Sequence, residues 1–313
     1  MARLEALVTK AESVGARNMT FDEVRELAAH YRLATSSLAI AREISLDKSL
    51  MEYLEALAAR AYLTVYAPQD PIGGLFRRFF MRSGPAAIRD SWLFILIALL
   101  TLSLGFAAGY FLYFENPAWY YVFTSGGIED GRGPEATTAY LRSVIYDENP
   151  TTDGLASFAT FLFSHNTRIA IFAFGLGVFL AAPAILLLFY NGLSIGALYA
   201  LYVERGLGPD LGGWLSIHGV TEISAICIAG GAGIKLGTAV LFPGNRTRSH
   251  SLFEAGKGAT KLAIVAAIML VVAALIEGFG RQLVQGMTAR YVIGWGIGLL
   301  WLAWFALAGV RRR

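Results

Sequence analysis

Ser91 to Phe114 is a run of 24 residues without a charge, and Ile169–Tyr190 and Tyr291–Val310 continue the pattern over 22 and 20 residues. Each run is long enough to cross a hydrocarbon core of about 30 Å as a helix. Composition points the same way: the 313-residue chain is 56% hydrophobic and 16% charged, where a soluble domain carries about a quarter charged residues. The sequence therefore predicts an all-α, polytopic membrane protein. Its formal net charge of +3 is small, and the basic residues cluster at the edges of the apolar runs, so nucleic acid is not an expected partner. One cysteine, Cys227, excludes an internal disulfide framework and a cysteine-rich metal site. The charges scattered through the first residues argue against a cleavable signal peptide.

The remaining spans are less regular. Leu262–Ile276 is short unless Glu277 faces protein. The stretch "NGLSIGALYALYV" has only 13 residues before Glu204 and Arg205, which predicts a short, broken or re-entrant element over 191–205. A long span then follows to about Phe242. Counting 191–205 as a crossing gives about six spans. Arg77, Arg78, Arg82 and Arg89, then Arg246, Arg248, Lys257 and Lys261, and finally Arg311, Arg312 and Arg313 then share one side. By the positive-inside rule that side is the cytoplasm of an inner-membrane protein, with both termini there. The 115–167 loop falls outside, carrying Glu115, Glu129, Asp130, Glu135, Asp147, Glu148 and Asp153 against Arg132 and Arg142.

Residues 1–70 read differently. "TFDE" places Thr20 as an N-cap with Glu23 three residues on, a capping box. Val24, Leu27, Ala28 and Tyr31 recur at helical spacing, as do Leu50, Leu54, Leu57 and Ala61. This predicts a small cytoplasmic helical domain, closed by "APQDPIGG". Over 71–90, "LFRRFFMR" mixes bulky apolar groups with arginines and suits an amphipathic linker in the headgroup region. The transmembrane domain is then 91–313.

"WLSIHGVTEISAICIAGGAGIKLG", Trp214–Gly237, carries the polar residues of interest. His218 and Glu222 are one turn apart and share a face. The topology brings Asn166, Arg168 and Glu277 to the same outer level, together with His165. Ala225, Ala229, Gly233 and Gly237 continue the face as small residues that let another helix approach. Lys235, on another face near the inner end, is expected to snorkel to the interface. The cluster reads either as a structural latch between helices or as a ligand or proton site. A charge at the bilayer centre costs at least ~2.5–3.5 kcal/mol, which favours a functional reading of such groups. A metal hydrolase is the third alternative, although HxxxE lacks the two histidines and the base of HExxH. No catalytic set, metal site or cofactor is assigned. "GGAGIKLG" and "EAGKGATK" imitate nucleotide-binding loops, but neither has the required spacing or a strand–turn–helix setting.

"HGVTEISAICIAGGAGIKLG", preceded by "FYNGLSIGALYALYV" and "HNTRIAIFAF" and followed by "FPG" and "LIEGF", resembles the stage II sporulation protein M family over roughly residues 90–280. The resemblance assigns the family's polar signature to Asn166, Arg168, Asn191, Gly192, His218, Gly219, Glu222 and Glu277. His165 departs from it, standing where a second asparagine is common. The family's sporulation members are membrane partners of cell-wall hydrolases during engulfment. "YRLATSSLAIAREI" and "YLEALAARAYLTVY" look like the N-terminal extension of longer homologues from non-sporulating bacteria, often encoded beside a MoxR-type ATPase. The resemblance thus implies a non-enzymatic scaffold of a peptidoglycan-remodelling type of envelope complex. Its expected partners are the bilayer, other envelope proteins and a second copy of the chain. The alternative is a transporter, channel or lipid-handling protein whose outer cluster binds a small molecule, ion or lipid.

Overall fold

The computed structural model describes all residues except 16–17, 45–47, 67–71, 125–130, 147–151 and 311–313. Glu129, Asp130, Asp147, Glu148, the end arginines Arg311, Arg312 and Arg313, and most of the "APQDPIGG" breaker lie outside the described residues, as does the Asp153 side chain. The described chain is helical, without strands, and divides into two compact units, Met1–Arg77 and Arg78–Arg313.

The first unit packs α1 (Ala2–Val14), α2 (Phe21–Ile44) and α3 (Lys48–Tyr66) around Leu4, Leu7, Val8, Leu27, Ala34, Leu57 and Ala61. The capping box closes as its spacing requires. Thr20 N–H donates to Glu23 Oε2 at 3.1 Å, and Glu23 N–H donates to Thr20 Oγ1 at 3.4 Å. The first position of each predicted stripe, Val24 and Leu50, is exposed, because each sits in an opening turn beyond the bundle's contact line. α1 supplies the third wall: its apolar residues stand at helical spacing despite the charges between them. Arg3–Glu26, Lys10–Glu23, Arg42–Glu55 and Arg60–Glu12 ion pairs tie the helices at the surface. α4 (Ile72–Arg78) spans the boundary between the units.

The second unit begins with a π-helical turn at Phe79–Ser83 and α5 (Gly84–Asp90). Gly84, Pro85, Ala87 and Ile88 are buried, so this half of the expected interfacial linker is packed into the bundle. Six long helices follow: α6 (Trp92–Glu115), then, beyond short α7 (Trp119–Thr124) and α8 (Thr138–Ile145), α9 (Thr152–Gly175), α10 (Ala182–Glu204), α11 (Gly208–Leu241), α12 (Arg248–Leu283) and α13 (Met287–Leu307). Among the described residues five of these, all but α9, are long and apolar enough to cross a membrane.

Close approaches fix their directions. Gly105 and Gly109 of α6 lie on the backbone of Phe189–Leu193, while Gly192 and Gly196 of α10 lie on Leu102–Phe106, so α6 and α10 run parallel. Ala173 meets Gly233 and Ala181 meets Gly237, so α9 runs parallel to α11. Gly213 faces Met287 and Tyr291, and Gly294 lies on Ser216, so α13 does too. α12 returns antiparallel to α11 after the short 242–247 link. The six helices therefore alternate in direction, α9 included.

One element is corrected. The stretch 191–205 is neither short nor broken: it is the second half and C-cap of the continuous α10, which starts at Ala182. The interruption comes earlier, at 176–181, in the middle of the apolar run Ile169–Tyr190. A 3-10 turn at Leu176–Val178 ends α9, and Leu180 and Ala181 take left-handed φ of 62° and 65° before α10 starts with a proline in its first turn. α12 extends well past Ile276, with Glu277 only 1% exposed, as the extension required.

Candidate functional site

α11 is the axis of the unit. Its C-terminal half, Ala225–Gly237, is a packing seam: a Cβ on Gly233 would overlap the Ala173 carbonyl, and one on Gly237 would overlap Ala181 N. Ala225, Ala229 and Ala232 are buried in a cluster with Leu262, Ala266 and Met269 of α12. Lys235 does not snorkel freely. Its Nζ donates to Ser91 Oγ at 2.8 Å, just before α6 starts, and Ser91 is buried. The same end of the bundle holds Arg89, whose guanidinium donates to the Phe305 and Ala308 carbonyls.

In the other half, toward Trp214, the helices separate and leave a cavity of about 320 Å³ between α9, α10 and α11. His218 and Glu222 line it from α11, Asn166 and His165 from α9, and Asn191 from α10. The Asn166 amide bonds the Glu222 carboxylate. His218 and Glu222 are buried, and the Trp214 ring meets the His218 ring edge-on at 5.4 Å. Ile169, Leu187, Ile223 and Ile226 complete an apolar wall. Gly219 also faces the space, and its Cβ position meets nothing nearer than Leu215 Cβ at 3.9 Å.

Sequence reasoning had grouped five residues here. The structure brings Asn166, His218 and Glu222 together. Arg168 is exposed on α9 and does not line the cavity, so it does not join them. Glu277 lies level with Ser216 of α11: Gly258 stands beside Lys235, and nineteen residues further along α12 correspond to nineteen back along α11. It is buried outside the cavity lining, because α12 packs on another side of α11. Of the structural-motif residues, Asn191 and Gly219 line the cavity, Gly192 packs on α6, Gly233 packs on the last turn of α9, and Gly237 packs on the α9–α10 connection.

Arg132 had counted only as a basic residue of the outer loop, yet it is 5% exposed and lines the cavity. Hydrogen bonds build the cap that carries it. Tyr120 hydroxyl donates to the Arg132 carbonyl at 2.7 Å, Ser194 to the Phe123 carbonyl at 2.6 Å, and the Arg205 guanidinium to the Pro134 carbonyl. Tyr121 bonds Glu135 beside them, which pushes the phenol up to about 12 and holds the carboxyl below its ordinary range. A second brace holds α8: Tyr146 bonds Asp210 at 2.6 Å, and buried Arg290 reaches the Ile145 and Val284 carbonyls. No sequence period could place these contacts, which depend on where a long loop folds back. Among the described residues no three His, Cys, Asp or Glu side chains converge to hold a metal ion.

A bundle of alternating apolar helices with a polar cavity in one half defines the class: a polytopic α-helical membrane protein. The family model for Stage II sporulation protein M matches residues 93–280, and the chain belongs to that family. A second family model, Domain of unknown function (DUF8413), matches residues 2–67. No curated protein and no solved structure matches the chain.

Proposed function

We propose that this protein binds an amphiphile drawn laterally from the bilayer, as a lipid-handling or transport protein does. The observation that carries this reading is the cavity itself. Polar groups face apolar walls around a volume in the range that holds small ligands, ~300–1,000 Å³. A structural latch would press His218 and Glu222 against their partners and leave no space beside them. Tyr190 is 43% exposed and His165 and Asn191 are half-buried, which supports an opening of the wall beside Tyr190. The basic residues Arg82, Arg89, Arg246 and Arg248 gather at the opposite end. This favours the cytoplasmic face of an inner membrane for that end and the outer leaflet for the cavity.

Wild-type protein purified into nanodiscs should carry co-purifying lipid that mass spectrometry identifies after extraction. A Gly219→Phe variant, which fills the cavity from a position with room for a side chain, should lose that species. Equal lipid in both would defeat the reading.

Scaffolding of an envelope complex is the second reading, favoured by family membership. Affinity purification from native membranes should then return partner proteins, and recovery of the chain alone would count against it.

A further inference from the structure

We propose that the ligand of this cavity is a phosphate monoester of a single apolar chain. The proposal rests on the amphiphile reading above and adds the headgroup. Arg132 is its centre. The side chain is 5% exposed and lines the cavity, and a guanidinium stays cationic at every physiological pH. Its planar fork of N–H donors matches phosphoryl oxygens two at a time. The backbone behind it is anchored by the Tyr120 bond to its carbonyl, and Tyr120 is itself buried, so the charge is presented from a fixed position.

The remaining polar wall selects among anions. His218, His165 and Asn191 face the same space and can donate to phosphoryl oxygens, while among the described residues of the lining Glu222 is the single carboxylate. A lone carboxylate would repel an anion that has only acceptors. A phosphate monoester, with a second pKa of about 6, retains one P–O–H as the monoanion, and a low-dielectric site favours that form. Its phosphoryl oxygens then take the donors, and its hydroxyl donates to Glu222. A phosphodiester lacks that hydroxyl and offers Glu222 acceptors only.

The apolar wall selects the tail. Ile169, Leu187 and Ile226 line the floor. The volume of about 320 Å³ equals roughly ten waters, room for a headgroup and the first part of one chain. The rest of the chain leaves through the open side beside Tyr190. Free inorganic phosphate shares the headgroup chemistry but leaves that wall uncovered.

Calorimetric titration of the full-length protein in phosphatidylcholine nanodiscs tests this with decyl phosphate, methyl decyl phosphate, decyltrimethylammonium and inorganic phosphate. Decyl phosphate should bind at least about tenfold more tightly than each of the others. Arg132→Gln should weaken it by at least about tenfold, with Arg132→Lys restoring part of the loss. Equal binding of monoester and diester, a preference for the ammonium, or indifference to Arg132→Gln would overturn the headgroup and leave the amphiphile reading standing. Inorganic phosphate binding as tightly as decyl phosphate would overturn the tethered source. Binding of no decyl compound would overturn both readings. The wild-type ranking decides the matter even if Arg132→Gln fails to fold.

Discussion

The two halves of α11 share one sequence style and do opposite things. In the stretch from Ala225 to Gly237, Gly233 and Gly237 let α9 and its connection to α10 lie directly on the helix backbone. From Trp214 to Glu222 the same neighbours touch through side chains, and Gly219, another small residue on the helix, faces open space. A glycine thus marks contact in one half and vacancy in the other. What separates the two is the partner: Ala173 and Gly177 meet Gly233, whereas Asn166 meets Glu222 across a hydrogen bond. Backbone contact at one end and a side-chain spacer at the other splay parallel helices, and the wedge between them is the cavity.

The comparison breaks most sharply at Gly233. Gly233→Leu forces a side chain into the Ala173 backbone and should cost at least ~3 kcal/mol, seen as loss of monodisperse protein or a large fall in thermal midpoint. Gly219→Phe, fourteen residues earlier on the same helix, should keep its midpoint close to wild type while weakening ligand binding by more than about tenfold. If both variants unfold, or neither does, the two halves are not different in kind.

Asn166→Ala sharpens the wedge itself. It deletes the spacer that bonds Glu222 and should cost ~1–3 kcal/mol, since a buried carboxylate loses a donor. Thermal unfolding measures the loss, and a change below ~0.5 kcal/mol would remove Asn166 from the account.

How much of this was legible follows from the same contrast. Helical period and charge-free length located α6, α11 and α13, and the capping box located the start of α2, because each depends on residues close in sequence. The small-residue face of α11 and the pairing of His218 with Glu222 were readable for the same reason. The α9–α10 break was missed because hydropathy runs unbroken from Ile169 to Tyr190. Its signal was there in Gly175, Gly177 and Pro183, punctuation that a count of apolar residues passes over. Arg132 was missed because a residue in a long outer loop gives no local sign that it folds back into a helical bundle. Arg168 was grouped with Asn166 by level and by the family resemblance, and neither fixes which way a side chain faces.

The smallest expected effect comes from acid, and it tests whether the α11 seam depends on charge at all. Burial and glycine contact hold the seam, and Ala225, Ala229, Gly233 and Gly237 have nothing to titrate. The first unit differs. Glu23 is held below its ordinary range by its bond to Lys10 and by the Thr20 N–H, and Glu12 by its bond to Arg60. A carboxylate with a lowered folded pKa contributes its stability above the unfolded value of about 4.3 and loses it as pH falls through the lower, folded value. Amide exchange at the start of α2 should therefore accelerate as pH falls below about 4, after correction for the intrinsic rate, while Ala225–Gly237 keeps its protection. Thr20→Ala should reproduce the acceleration at neutral pH, at a cost of about 1 kcal/mol. Loss of protection along the seam over the same pH range would mean that a titrating group elsewhere holds α9 against α11.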